Sequence, residues 1–244
     1  MIERRSKARL KDEARLSEIL EIAETQIAEN GIKNINMSAL INQSSISRAT
    51  LYTLVENKDT LIAYLAIKGI NELLQLSKVA KNYESSGRVK LVLLFIGHSI
   101  FIQRKSLLFQ CIYVTNTLSS RENINKSLES LFDMKMSTII REMQWCVELS
   151  VLNQEFVLPP RLSSFDIALF LWTASYGMLN MSKNIQLDYN ELSIRYKYLL
   201  RSLLDSWNWH PLSSELDYDA ETQKIIATCY LKEYTELMQM KAKA

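Results

Sequence analysis

The stretch from Asn36 to Leu61, NMSALINQSSISRATLYTLVENKDTL, sets the tightest limits on the fold of this chain. Met37, Leu40 and Ile41 form one apolar set, Leu51 and Val55 form another, and Ile46 lies between them. Side chains three or four apart share one face of a helix. The segment therefore reads as two short helices, a tight turn, and the start of a third helix. Asn36 suits the cap of the first helix, over about residues 37–43. Ser47 suits the second, over about residues 47–55, because its hydroxyl can accept from a backbone amide two or three residues on. Asn57 caps the third. With Leu51 and Val55 turned inward, Arg48, Ala49, Tyr52 and Thr53 are left on the outer face. One guanidinium, one methyl, one phenol and one hydroxyl suit a DNA major groove. There an arginine takes a guanine edge and small methyl-bearing side chains meet thymine methyls.

The rest of the chain is compatible with an all-helical protein. Five Gly and three Pro in 244 residues leave few sharp turns, and good helix formers are plentiful. A net charge of +2 neither supports nor excludes a nucleic-acid partner. Cys111, Cys146 and Cys229 form no close-spaced pair, and each sits in an apolar run. They read as buried free thiols in a reducing cytoplasm. The basic N-terminus is no secretory signal. The longest apolar run, residues 165–181, contains Asp166, Thr173, Ser175 and Asn180. It falls short of a membrane span of ~20 residues. It is expected as a helix buried on more than one side, with Gly177 permitting close helix approach.

Residues up to Arg15 carry six cations against three acids. A flexible basic arm of this kind suits phosphate or minor-groove contact, and a solvated terminus has the same composition. A first helix follows through Leu16, Ile19, Leu20, Ala23 and Ile27, ended by Asn30-Gly31. Its acidic face should point away from phosphate. The helix begun at Asn57 runs to near Tyr83, with Lys58 adding a charge at a dipole end suited to phosphate. Helices are expected over residues 88–105, 106–114, 123–152, 165–183 and 190–207, with a polar loop over 116–121. A single last helix over about residues 219–240 could brace a dimer, cover a pocket or bind another protein.

Catalysis is poorly supported. Only His98 and His210 are present, with no metal-ligand spacing and no glycine-rich phosphate loop. No metal, cofactor or membrane is implied. Phe95, His98, Phe109, Tyr113, Met143, Trp145, Trp172 and Tyr176 are the candidate lining of a small-molecule pocket. The polar ends of Tyr113, Tyr176, Trp172 and His98 could orient an apolar ligand. Such aromatics at helical spacing also serve as plain core.

The Thr50-Leu51-Tyr52 run, with Ile46-Ser47 before it and Asn57-Lys58-Asp59 and Leu61 after it, resembles the helix-turn-helix signature of the tetracycline-repressor-like (TetR) transcription regulators. The resemblance covers about the first quarter of the chain. Leu40-Ile41 stands at the family's Ile-Ala pair, and Val55 at its usual Phe. Ser45 stands where the family has a turn Gly, and a left-handed backbone there would cost roughly 1–2 kcal/mol. The resemblance implies an all-α fold. A three-helix DNA-binding domain, residues 1–57, would precede a larger helical ligand-binding and dimerisation domain, residues 58–244. It implies backbone anchoring by Ser38, Ser47, Thr50, Tyr52 and Lys58, and base reading by Arg48, Ala49 and Thr53. The implied partners are a near-palindromic double-stranded operator, a small apolar or aromatic effector, and a second copy of the chain packed through residues 165–183 and 190–207. Repression is the family's habit. The competing class is a helical small-molecule or protein-partner module with weak or lost DNA binding.

Overall fold

The computed structural model describes the backbone of residues 2–181 and 189–242, and side chains within residues 10–178 and 197–242. The described chain is all-α: α1 (Ile2–Asn30), a 3-10 turn (Ile32–Asn34), α2 (Met37–Gln43), α3 (Arg48–Leu54), α4 (Lys58–Ser77), α5 (Val79–Asn82), α6 (Gly87–Arg104), α7 (Ser106–Thr115), α8 (Leu118–Arg121), α9 (Lys126–Leu152), α10 (Ser164–Met181), α11 (Tyr189–Ser206), α12 (Tyr218–Cys229) and α13 (Leu231–Ala242). It divides into two compact units, residues 1–71 with 105–135, and residues 72–104 with 136–244. Among the described residues no single helix is long and apolar enough to cross a membrane.

In the first unit, Ile19 and Ala23 of α1, Leu40 of α2, Leu51 beside Val55, and Leu61 and Leu65 of α4 are fully buried. The caps are local. Asn36 Oδ1 accepts from the amides of Ser38 and Ala39 at 2.9 and 3.2 Å. Ser47 Oγ accepts from the Thr50 amide at 3.2 Å, and Asn57 Oδ1 from the Thr60 amide at 2.8 Å. Gly31 closes α1 at φ 80°, a left-handed conformation that glycine takes without steric cost. Gln26 ties α1 to both ends of α2. Its carbonyl accepts from the Asn36 amide at 3.3 Å, and its amide donates to Gln43 at 3.1 Å.

Four expectations need correction. The basic arm is not a separate flexible segment: α1 runs unbroken from Ile2, since nothing between there and Asn30 is Gly or Pro. High charge density alone does not break a helix. The stretch after Asn116 holds one helical turn, α8. The last helix is two, parted at Tyr230, whose backbone leaves helical geometry at φ −132°, ψ 19°. Nothing among the described residues approaches Gly177 within 4 Å of where a Cβ would stand, so it serves no close packing there.

The second unit is built on α6, buried along almost its whole length. Even its cations are inside. Arg88 donates to the Trp209 carbonyl and to Asp205 Oδ1 (2.7 Å), with its guanidinium carbon 4.9 Å from the Tyr218 ring centre. Lys90 donates to the carbonyls of Ala80 (2.9 Å) and Tyr83. Pairing of this kind is what makes a buried cation tolerable. Ser163 and Asp166 cap α10 reciprocally, through a 3.2 Å bond to the Asp166 amide and a 2.8 Å bond from the Ser163 amide. Cys111 and Cys146 are buried free thiols pushed up to about 12, first by burial. Cys229 is only partly buried.

Candidate functional site

Helix α3 is short, seven residues, and held by one buried side chain of its own, Leu51, with Val55 closing the end. Ser47, Arg48, Ala49, Tyr52 and Thr53 are all exposed, as is Ser38 on α2, while Thr50 and Lys58 are half-buried. The outer face is therefore assembled as the spacing required. The Arg48 guanidinium carbon lies 5.9 Å from the Tyr52 ring centre. At an exposed position such a contact is worth about 0.5–1 kcal/mol, enough to bias the guanidinium toward one orientation. Thr53 donates its hydroxyl back to the Ala49 carbonyl at 2.9 Å. The Ser47 and Thr50 hydroxyls are 2.9 Å apart.

The turn between α2 and α3 is fixed from a distance. Glu18 accepts from the Ser45 amide at 2.6 Å and from the Ser45 hydroxyl at 2.8 Å. Those two bonds, the backbone one first, hold the Glu18 carboxyl below the usual carboxylate range. Ser45 is not among the positive-φ residues, so the left-handed penalty expected of a non-glycine turn does not arise. Sequence reasoning missed Glu18 because it lies 27 residues away on the acidic face of α1. Beside this turn, Lys11 and Arg15 of α1 share a cleft with Ser47 and Thr50. Lys58 donates to the Lys33 carbonyl. An ammonium has three donors, so this bond leaves capacity for a phosphate.

The candidate pocket residues are dispersed. Phe109 is buried on α7 of the first unit, and Tyr113 there is exposed, so its hydroxyl is no buried handle. The other six lie in the second unit. His98 is buried with Trp172 edge-on at 5.6 Å and Phe95 at 6.3 Å; Tyr176 stands 5.5 Å beyond Trp172. Neither His98 nitrogen has a hydrogen-bond partner among the described residues, and burial drives its pKa down to about 3. The ring is neutral. Met143 is fully buried core, and Trp145 lies half-buried under the Lys90 ammonium at 5.4 Å.

A cavity of about 370 Å³ opens elsewhere in the same unit, between α6, α11, α12 and α13. Of the eight candidates it takes only Phe95, together with Val92, Ile96, Leu200, Ile226 and Leu237 among its apolar walls. Among the described residues no three His, Cys, Asp or Glu side chains gather as a metal site.

Helix α10 departs from expectation. Phe165, Leu169 and Phe170 are 43%, 39% and 50% exposed, and Leu199 of α11 is 57% exposed. A helix expected to be buried on several sides has a half-exposed apolar face in the single chain, with Phe170 5.7 Å from the Trp207 ring.

An all-helical chain with helices in this order has counterparts among solved structures. The fold is that of the TetR regulators. A bacterial regulatory protein in the tetR family from Rhodococcus RHA1 superposes with a TM-score of 0.58, covering 75% of this chain and 93% of its own, at 11% identity. The TetR family transcriptional regulator PfmR from Thermus thermophilus gives 0.54 over 74% and 95%, at 13% identity. A protein of unknown function from Rhodococcus sp. RHA1 gives 0.59 over 81% and 94%, at 15% identity. At these identities the likeness is one of fold. No family model and no curated protein matches the sequence. In that fold α2 and α3 are the helix-turn-helix, and here the turn between them carries the Glu18–Ser45 hydrogen bonds.

Proposed function

We propose that the chain is a cytoplasmic, ligand-responsive transcriptional regulator of the TetR type that binds a near-palindromic operator as a homodimer and represses. The observation that carries this is the outer face of α3. Arg48, Ala49, Tyr52 and Thr53 are exposed together while Leu51 and Val55 are buried. In this reading Arg48, Ala49 and Thr53 meet base edges. Ser38, Ser47, Thr50, Tyr52 and Lys58 hold phosphates, with Lys11 and Arg15 adding charge beside Ser47. The DNA-reading domain spans residues 1–57, and residues 58–244 bind effector and partner.

A single reading helix binds weakly, and two-fold pairing sets the half-site spacing. The half-exposed apolar faces of α10 and α11 are the proposed dimer surface, since exposed apolar patches mark association sites. Helix α4 carries residues of both units, and a shift of that helix is the proposed link between effector and DNA affinity. Selection of bound fragments from random duplex DNA tests the proposal. Recovery of a two-fold symmetric site supports it. No enrichment refutes it, leaving a helical binding module without DNA affinity.

A further inference from the structure

The C-terminal helices α12 and α13 pack on α6. Tyr230, fully buried where they part, donates to the carbonyls of Leu76 (3.0 Å) and Leu93 (3.2 Å). Arg104 at the end of α6 pairs with Glu236 of α13. Docked this way, the two helices supply Thr222, Ile226, Tyr234, Leu237, Met238 and Lys241 to the wall of the cavity. They are its cover.

The charge of that wall is one-sided. Lys197, Arg201 and Lys241 line it, and no described lining residue is Asp or Glu. Asp219, outside the lining, accepts from Lys197 and from Arg201 (3.1 Å), so these two cations share one carboxylate. Arg201 also donates to Thr222 at 3.4 Å, yet its Nε, inside a side chain only 10% exposed, has no hydrogen-bond partner among the described residues. On the facing helix, Gln103 donates its amide to Ser99, and its buried carbonyl oxygen has no partner among the described residues. Those two atoms lie sealed beneath the surface, so what faces the cavity is a mostly apolar wall that carries positive charge.

A neutral apolar guest would strip water from Lys197 and Arg201 without replacing it, which is costly. Lys197 and Arg201 less the one carboxylate they share leave a single positive charge, which a polyanion would exceed. We infer that this cavity binds an apolar organic monoanion, a carboxylate on an aliphatic or aromatic body, its acid group held by Lys197 and Arg201. The inference deepens the ligand-responsive reading above and rests on it for its regulatory meaning. It moves the effector site from the His98 aromatic cluster to the cavity under the C-terminal helices, and it gives the effector a charge.

The test uses the full chain, free of DNA. Calorimetric titration with hexanoate, decanoate, benzoate and 2-naphthoate is compared with the matching neutral amides. At least one acid is expected to bind about tenfold or more tightly than its amide. The K197Q variant should lose that preference while its circular dichroism is unchanged. Ile96→Trp, which fills the apolar end, should weaken acid and amide together. Equal affinity of acid and amide, acid binding unaffected by either variant, or no binding by any of the acids at millimolar concentration would each overturn the inference. Operator selection is independent of these titrations. Acid binding without any operator sinks the regulator reading alone, and an operator without acid binding sinks this inference alone.

Discussion

Gly97→Ala probes the docking of the C-terminal helices most sharply. A Cβ at Gly97 would stand 2.6 Å from the Tyr230 hydroxyl oxygen and 3.0 Å from its ring carbon Cζ. The ring cannot retreat freely, because it is fully buried and its hydroxyl is held by two carbonyls. Overpacking of this kind costs about 1–3 kcal/mol. Replacing Gly by Ala inside a helix returns about 0.5–1 kcal/mol. The net expectation is a destabilisation of about 1–2 kcal/mol. Tyr230→Phe alone removes the single hydroxyl proton that the Leu76 and Leu93 carbonyls share, about 1 kcal/mol. In the Gly97→Ala background the same change also removes the nearest clashing atom, so it should cost less or nothing. The cycle should therefore show a coupling of about 1 kcal/mol. Urea unfolding followed by tryptophan fluorescence is the assay. Trp145, Trp172, Trp207 and Trp209 all lie in the second unit, so the signal reports the unit being perturbed. Strict additivity, or a Gly97→Ala variant as stable as wild type, would refute the packing that forms the cavity cover.

Burial holds the folded His98 pKa at about 3 against 6.5 for the free group. The unfolded chain therefore binds the extra proton first, and stability should fall as pH drops below about 6.5, by up to about 1.4 kcal/mol per pH unit. His98→Leu should remove that share of the loss between pH 7 and 5 in the same unfolding assay; an unchanged pH dependence would count against a buried neutral ring. Lys58→Ala should weaken binding to all DNA sequences alike and flatten the salt slope by about one unit; an unchanged slope removes Lys58 from the phosphate contacts. Phe170→Glu places a carboxylate on the exposed face of α10 and should shift sedimentation from dimer to monomer; a dimer that survives locates association elsewhere, and a monomeric wild type refutes the homodimer.

The parts legible in the sequence were those settled locally. Asn36, Ser47 and Asn57 cap the helices they precede, and Leu51 with Val55 decides which side of α3 turns out. Distant partners were not visible. Ser45 takes its turn conformation with the help of Glu18, and nothing in the spacing of the two announces it. Tyr230 parts α12 from α13 without Gly or Pro, through bonds to carbonyls more than a hundred residues away. The apolar run of α10 reads as burial because a pattern cannot tell a core face from one left partly exposed. The cavity drew its walls from residues 92–103 and 197–241. Its lysines and arginine resemble solvated surface in sequence, whereas the aromatics expected to line a pocket went largely into core.

DNA reading by the outer face of α3 is tested directly by fragment selection run side by side on wild type and Arg48→Ala. Wild type should recover a two-fold symmetric site. The variant should bind it about 1–3 kcal/mol more weakly and lose preference at one base pair in each half. No enriched site, or the same site with the same preferences in both proteins, would contradict a base-reading role for that face.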